Sequence, residues 1–177
     1  MRFLGALLVV AAGSAMADHM VAVCMNAGAN GSVVLRAQYT AAKILARAGV
    51  QIEWRCDSAN PSIAIKLSNQ TAAFNHPGAF AYALPYQGSH VVVFYDRVAD
   101  HTRPERMPVV LGHVLAHEIT HMLQGVARHS EEGVMKARWN SLDLSAMAHQ
   151  PLRLTGEDVD LIRANMNRWA SSVSDGK

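Results

Sequence analysis

The chain has 177 residues, half of them hydrophobic, which is long enough for one well-buried domain and short for two. Lysine and arginine together number 16 against 14 acidic residues, and no long basic run is present. This charge balance does not predict binding to nucleic acid or to an anionic membrane.

The first 17 residues have the pattern of an export signal. Arg2 precedes an apolar run over residues 3–12, and small residues stand at Ala15 and Ala17. We expect cleavage after Ala17, a mature single domain over residues 18–177, and a secreted or periplasmic protein. An uncleaved membrane anchor is the alternative. Because the apolar run is shorter than the about 20 residues that a span needs, no stable membrane insertion is expected after cleavage.

Two short apolar segments, residues 19–25 and 50–56, are predicted as strands on either side of a helix from Ser32 to Ala48. Such a unit normally lays its two strands parallel, which puts Cys24 and Cys56 near the same end of neighbouring strands. Since disulfides persist in exported proteins, we predict a disulfide between these two cysteines. Two buried free thiols are the alternative, and the Cα separation decides between them.

Three further segments, residues 62–68, 79–85 and 90–96, are apolar or alternating and are separated by Asn, Pro and Gly turns, which predicts three more strands. Pro85 ends the fourth strand of the chain. Since proline cannot donate to a ladder, this strand is better suited to the edge of a sheet. At an edge it could take an extended peptide.

The segment RMPVVLGHVLAHEITHMLQG predicts a helix with Pro108 in its first turn and Gly125 just past its end. His117 and His121 lie one turn apart, so both imidazoles project toward a single ion. Glu118 lies about 100° around the helix, where its carboxylate can take a proton from a water activated by that ion. This is the HExxH arrangement. The alternative is an amphipathic helix with ordinary surface histidines.

An open zinc site needs a third protein ligand, and His129 is the candidate. Gly125 can accept a positive φ and end the helix, so that the chain turns back toward the ion. Met135 follows six residues after His129, in the segment GVMK.

Other side chains near the motif are alternative candidates for the third ligand or for the wall of the site. Glu131 and Glu132 rival His129 as the third ligand, but they lie in a predicted turn and are expected to face solvent. His113, one turn before His117, is expected to be a wall residue, because three successive helical positions diverge too far for one ion. Trp139 is expected to pack.

The C-terminal part is predicted as a loop from Trp139 to Leu154, followed by a helix from Thr155. Asp158 stands three residues after Thr155 and makes a weak match to a capping box. Apolar residues at helical spacing predict a buried stripe of Ile162, Met166 and Trp169.

The order of these motifs resembles that of the metzincins, a clan of metallopeptidases with a histidine triad followed by a methionine-containing turn beneath the metal. The resemblance implies that His117, His121 and His129 bind one Zn²⁺ per chain, with Glu118 as general base and Met135 in the turn. It also implies an α+β fold: a mixed five-stranded twisted sheet with an antiparallel edge strand that binds substrate, an active-site helix beneath it, and a small C-terminal helical part.

The chain departs from the clan at two places. It reads HExxHxxxGxxxH, one residue longer on each side of Gly125 than the usual HExxHxxGxxH. Ala137 stands two residues after Met135, where some members carry a tyrosine. The stretch HSEEGVMKARW, residues 129–139, resembles a motif of small exported bacterial proteins related to this clan.

Together these features predict an exported zinc-dependent endopeptidase that acts on a peptide or protein substrate. Two alternatives stay open. One is a non-catalytic secreted zinc-binding domain that holds a protein partner at its edge strand, for which four protein ligands would be the mark. The other is a zinc hydrolase that acts on a non-peptide amide.

Overall fold

The computed structural model describes residues 19–26, 31–56, 62–71, 78–83, 85 and 89–174, without the side chains of residues 168–174. The predicted export signal, residues 1–17, lies outside the described residues. Within the described ranges, no helix has the length and apolar character needed to cross a membrane.

Within the described ranges, five strands form one mixed sheet in the order β2-β1-β3-β5-β4. Three neighbouring pairs, β1 with β2, β1 with β3 and β3 with β5, run parallel, and β4 pairs antiparallel with β5 at the edge. This confirms the predicted α+β fold with an antiparallel edge strand. The strands are β1 His19–Asn26, β2 Val50–Trp54, β3 Ile63–Ser68, β4 Ala81–Ala83 and β5 His90–Phe94.

Alternate residues of the central strands face the core, as expected for strands with one buried face. In β1, the buried side chains are Val21, Val23 and Met25. Strand β3 follows the same alternation, and β5 follows it up to Val93, after which Phe94 is buried as well. Among the described residues, five helices accompany the sheet: α1 Gly31–Ala46, α2 Tyr95–Asp100, α3 Met107–Gln124, α4 Ser141–His149 and α5 Gly156–Ser174.

Two parts of the predicted secondary structure are wrong. The strand over residues 90–96 ends at Phe94, and Tyr95 begins the short helix α2. The loop predicted from Trp139 to Leu154 contains α4. That helix begins with a capping box, in which the Asn140 side chain accepts from the backbone of Asp143 and the Asp143 side chain accepts from the backbone of Asn140.

Helix α3 is the centre of the molecule, since every residue in it except Val109 is buried. It packs closely on α1 at Gly112, where an added Cβ would lie 2.5 Å from the Thr40 Cβ and 2.8 Å from the Ala37 carbonyl oxygen. Only glycine permits this approach. The helix that carries the HExxH motif is therefore held on all sides.

The disulfide between Cys24 and Cys56 is present, with a Cα–Cα separation of 4.5 Å. It joins β1 to the segment that follows β2, and these two strands are parallel neighbours with Val23 opposite Trp54. At the other end of the domain, Ile162 and Met166 of α5 are buried as predicted, whereas the side chain of Trp169 lies outside the described part.

Candidate metal centre

Three imidazoles meet at the C-terminal end of α3. His117 and His121 come from one face of the helix, and His129 comes from the segment that follows it. One ring nitrogen of each lies within 4.8 Å of the corresponding nitrogens of the other two. The ring centroids are 4.7 to 5.2 Å apart. The sequence-predicted ligand set is therefore brought together at one point.

The return of the chain toward the helix depends on Gly125. This residue has φ 68°, in the left-handed region, and its N–H donates to the carbonyl of His121. Helix α3 therefore ends at Gln124, and residues 126–128 lead back to His129. From α5, the Asn165 side chain donates to the carbonyl of Leu123 and holds the last turn of α3 in place.

Hydrogen bonds fix the protonation of two rings. Nδ1 of His117 lies 2.8 Å from the Val134 carbonyl, and Nδ1 of His121 lies 3.2 Å from the Val126 carbonyl. Because a carbonyl only accepts, each Nδ1 carries the hydrogen and each Nε2 presents a lone pair.

The two Nε2 atoms face each other at 3.1 Å. Two lone pairs at this separation repel unless a cation or a proton lies between them. Two nitrogens bound tetrahedrally at zinc–nitrogen distances would lie about 3.3 Å apart, so the arrangement fits Zn²⁺ or a similar divalent ion.

The rings are neutral at pH 7, which is the form that binds a metal. Burial lowers the pKa of His117 to about 3 and that of His121 to about 4. The neighbouring imidazoles add to this effect, since charge on one disfavours charge on the next. Loss of hydrating water beside the other two rings also lowers the pKa of His129.

Glu118 lies in the same cavity as the three imidazoles and is 6 % exposed. Burial raises the pKa of its carboxyl to about 8 in the metal-free protein. A divalent cation beside it would favour the carboxylate and lower that pKa. The protonation of Glu118 would thus depend on whether the three imidazoles bind a divalent cation.

A turn over residues 130–136 packs against the site and contacts the ring of His117. Ser130 N–H donates to the Met135 carbonyl, and the Met135 side chain is fully buried. Gly133 has φ 75°, and an added Cβ there would lie 2.2 Å from the Arg153 carbonyl oxygen. The turn presents the Val134 carbonyl to the ring of His117.

The triad and Glu118 lie in a cavity of about 430 Å³. Residues 78–83, which include β4, and residues 136–139 both line this cavity. Trp139 packs edge-on against both His113 and His117 and donates to the Gly133 carbonyl. It therefore both packs, as predicted, and forms part of the cavity wall.

The rival ligands lie outside the cluster. His113 is fully buried, and both its ring nitrogens are engaged: Nδ1 with the Val109 carbonyl at 2.7 Å, and Nε2 with the Leu152 N–H at 3.0 Å. Neither nitrogen is left for an ion. Glu131 and Glu132 are exposed. Over the part of the chain that the structure describes, these three histidines are the one group of three or more His, Cys, Asp or Glu residues whose donor atoms lie close enough together to hold a metal ion.

Sequence reasoning missed the two carbonyl acceptors, because a backbone carbonyl has no residue-type signature. Each acceptor nonetheless belongs to the residue directly after a glycine with positive φ: Val126 follows Gly125, and Val134 follows Gly133. The two glycines are the signal that could have located them.

No protein-family model and no curated protein matches the sequence. Among solved structures, archaemetzincin from Methanopyrus kandleri is similar with a TM-score of 0.56 and 16 % identity, over 88 % of this chain and 99 % of that chain. Two structures of myroilysin, each 16 % identical over 81 % of this chain, have TM-scores of 0.40 and 0.41 and are covered over 66 % and 59 % of their length. At this identity the likeness extends to the fold alone: the chain has the α+β fold seen in archaemetzincin.

Proposed function

We propose that the protein is an exported zinc-dependent endopeptidase with one zinc per chain, bound by His117, His121 and His129. The supporting observation is the convergence of three neutral imidazoles beside a buried carboxyl in a cavity flanked by an edge strand. Three protein ligands leave one position of a tetrahedral ion open, as in catalytic zinc sites, whereas structural sites are closed by four.

Zinc, when bound, polarises a carbonyl and lowers the pKa of a coordinated water toward neutrality. Glu118 supplies the proton transfers. As a carboxylate it accepts a proton from the water that attacks the peptide carbonyl. It then delivers that proton to the leaving amine. Its burial keeps competing solvent away from the carboxyl.

The substrate proposed for this cavity is an extended peptide. Strand β4 is one of the two edge strands of the described sheet and the one that lines the cavity, so a peptide can add to it as a further strand. The cavity that holds the triad runs along this strand. Strand β4 and Glu118 line the same cavity, and this shared lining favours an extended peptide over a small amide as substrate.

Three further parts of the proposal concern the chain around the site. We assign Met135, buried in the turn below the imidazoles, as the turn methionine. Cleavage after Ala17 would release a single domain over residues 18–177. Export is supported by the Cys24–Cys56 disulfide, since such bonds persist in oxidising compartments.

The test compares wild type with Glu118→Gln after zinc loading, using a peptide library and metal analysis. The variant should retain zinc, because the side chain is not a ligand, and should lose about 10²- to 10⁴-fold in hydrolysis. Glu131→Gln, at an exposed carboxylate close to the site, is the matched control and should cleave like wild type.

Undiminished hydrolysis by Glu118→Gln would remove Glu118 as the base. A wild-type protein that retains zinc and cleaves no library peptide would favour the alternatives, a partner-binding domain or a hydrolase of non-peptide amides. Failure to retain zinc would remove the metal site altogether.

A further inference from the structure

The three imidazoles are not held equally. His117 and His121 are 8 % and 6 % exposed, and a backbone carbonyl fixes each ring. His129 is exposed, and its ring has no hydrogen bond from any residue that the structure describes. Little packing therefore fixes its side chain, and its place in the cluster depends on the backbone on either side of it.

The residues on both sides of His129 bind the same oxygen atom. Oδ1 of Asp158 accepts from Arg128 Nη1 at 3.0 Å and from Ser130 Oγ at 2.7 Å. Asp158 lies in the first turn of α5, 28 residues beyond Ser130, and has no exposed surface. One buried carboxylate thus binds the residues directly before and after His129.

The same carboxylate is fixed to two other elements. Oδ2 accepts from the backbone and the hydroxyl of Thr155, which closes the capping box of α5. Gln124, the last residue of α3, donates to Oδ1 at 3.4 Å and to the Asp158 carbonyl at 3.2 Å. Asp158 therefore joins the end of the metal-binding helix, the loop that carries His129 and the start of α5.

A buried carboxylate without such partners would be costly. Burial of Asp158 opposes its ionisation, but the hydrogen bonds from Ser130, Thr155 and Gln124 keep its pKa below the ordinary value. The group therefore stays charged at pH 7. A charged acceptor makes stronger bonds to Arg128 and Ser130 than a neutral one would.

We propose that Asp158 is the positioning residue of the third ligand: by holding Arg128 and Ser130, it fixes His129 in reach of the metal and sets the affinity of the site. This inference rests on the proposed role of His129 as a ligand. The spacing of the motif gives the physical reason. The extra residue before Gly125 belongs to α3, whereas the extra residue after it lengthens the loop 126–128 and gives it more conformations. Each ordered backbone unit costs free energy that a fixed anchor removes from the binding step.

A matched pair of variants separates positioning from stability. Ser130 and Thr155 each donate a hydroxyl to Asp158 at 2.7 Å, but Ser130 is next to His129 whereas Thr155 caps α5. Ser130→Ala and Thr155→Val each remove one of these bonds, and Ser130→Thr retains the hydroxyl. Zinc dissociation constants are measured by competition with a chromophoric chelator, and the visible absorption of bound Co²⁺ reports the coordination geometry.

Ser130→Ala should weaken zinc binding by about 10-fold and Asp158→Asn by up to about 100-fold, the range seen when supporting residues of metal sites are changed. Thr155→Val should bind within about 2-fold of wild type although it lowers the melting temperature of the metal-free protein at least as much as Ser130→Ala. Ser130→Thr should have the zinc affinity and the Co²⁺ spectrum of wild type. If Asp158→Asn does not fold, the comparison of Ser130→Ala with Thr155→Val still distinguishes positioning of His129 from stabilisation of the domain.

Equal weakening by Ser130→Ala and Thr155→Val, or no weakening by Ser130→Ala, would show that Asp158 only stabilises the domain. A His129→Ala variant with wild-type affinity would overturn the three-histidine site itself, and this proposal with it. Because every measurement reports metal binding, a protein that binds zinc but hydrolyses no peptide leaves the result intact.

Discussion

At the scale of single residues, two glycines orient the rings of the candidate metal centre. Gly125 and Gly133 both adopt positive φ, and each is followed by a residue whose carbonyl accepts from the ring of His121 or His117. The left-handed conformation turns the next carbonyl toward α3. The side chains that follow contribute nothing to these bonds, so the glycines are the residues on which ring orientation depends.

We predict that Gly133→Ala lowers both the stability of the protein and its zinc affinity. A non-glycine residue at φ 75° costs about 1–3 kcal/mol, and the added Cβ would meet the Arg153 backbone at 2.2 Å, so the turn must move and carry the Val134 carbonyl away from His117. Thermal unfolding and zinc competition measure the two effects. Gly156→Ala, where an added Cβ meets nothing within 4 Å, is the control and should change neither.

Glu118 gives the metal-free protein a distinctive dependence on pH. Burial raises the pKa of its carboxyl from 4.5 to about 8 in the folded state. Between these values the folded protein binds a proton that the unfolded chain has released. The stabilisation from this group is complete below about pH 4.5 and is lost as the pH rises through 8.

Glu118→Gln should abolish that loss, because a neutral amide does not ionise. We expect the difference in free energy of unfolding between the variant and wild type to increase from about pH 5 to pH 8, on the order of 1.4 kcal/mol for each unit of pH at most. Urea unfolding with a chelator present measures it at both pH values.

Histidine titration affects both proteins alike. Burial lowers the pKa of His113, His117 and His121, so both proteins lose stability as the pH falls below 6.5, and this effect cancels in the difference. Parallel stability curves for wild type and Glu118→Gln would show that Glu118 ionises in the folded state as it does in the unfolded chain.

At the scale of elements, the Cys24–Cys56 disulfide joins β1 to the segment that follows β2, and the two cysteines are 32 positions apart in a stretch that includes α1. A loop of this length predicts a stabilisation of about 3–4 kcal/mol through the restricted unfolded state. We expect no free thiol under denaturing, non-reducing conditions, and a loss of that size in the free energy of unfolding after reduction. Two titratable thiols in the unreduced protein would contradict the pairing.

The long elements were predictable because their patterns are periodic over many residues. Helices α1 and α3 and the alternating strands fall close to their predicted positions. Helix α4 was missed because it buries only Met147, so its apolar pattern is weak. Asn140 and Asp143 were the local signal, since together they form its capping box. Helix α2 was missed because its apolar Tyr95 continues the pattern of β5.

The residues of the candidate site also divide into those that a local pattern predicts and those that it does not. His117, Glu118 and His121 follow from spacing within one helix, which local geometry fixes. His129 follows from the need for a third ligand and from the turn that Gly125 permits, but the chain does not keep the motif spacing of the family it resembles, so spacing alone does not fix its position. Asp158 was visible as a helix cap, but its contacts with Arg128 and Ser130 join residues 28 to 30 positions apart, and no local pattern encodes them.

At the scale of the whole molecule, the candidate metal centre lies where the main parts of the domain meet. Helix α3 supplies two imidazoles and packs on α1, and α5 holds both the end of α3 and the loop that carries His129. Edge strand β4 closes the cavity from the side of the sheet. An ion bound by the three histidines would therefore stabilise the packed domain as a unit.

We predict that zinc raises the stability of the entire domain in a single cooperative transition, with one ion bound per chain. An ion that binds the folded state alone at a free concentration 1,000-fold above its dissociation constant adds about 4 kcal/mol. For a domain of this size that corresponds to a rise of roughly 8–16 °C in melting temperature. Scanning calorimetry of the chelator-treated protein with added Zn²⁺ measures the rise, and Mg²⁺ is the control, since it prefers oxygen ligands to imidazole. His129→Ala should reduce the rise to a small fraction, because two imidazoles hold the ion poorly. An equal rise with Mg²⁺, or one unaffected by the loss of His129, would place the stabilising ion outside the three-histidine cluster.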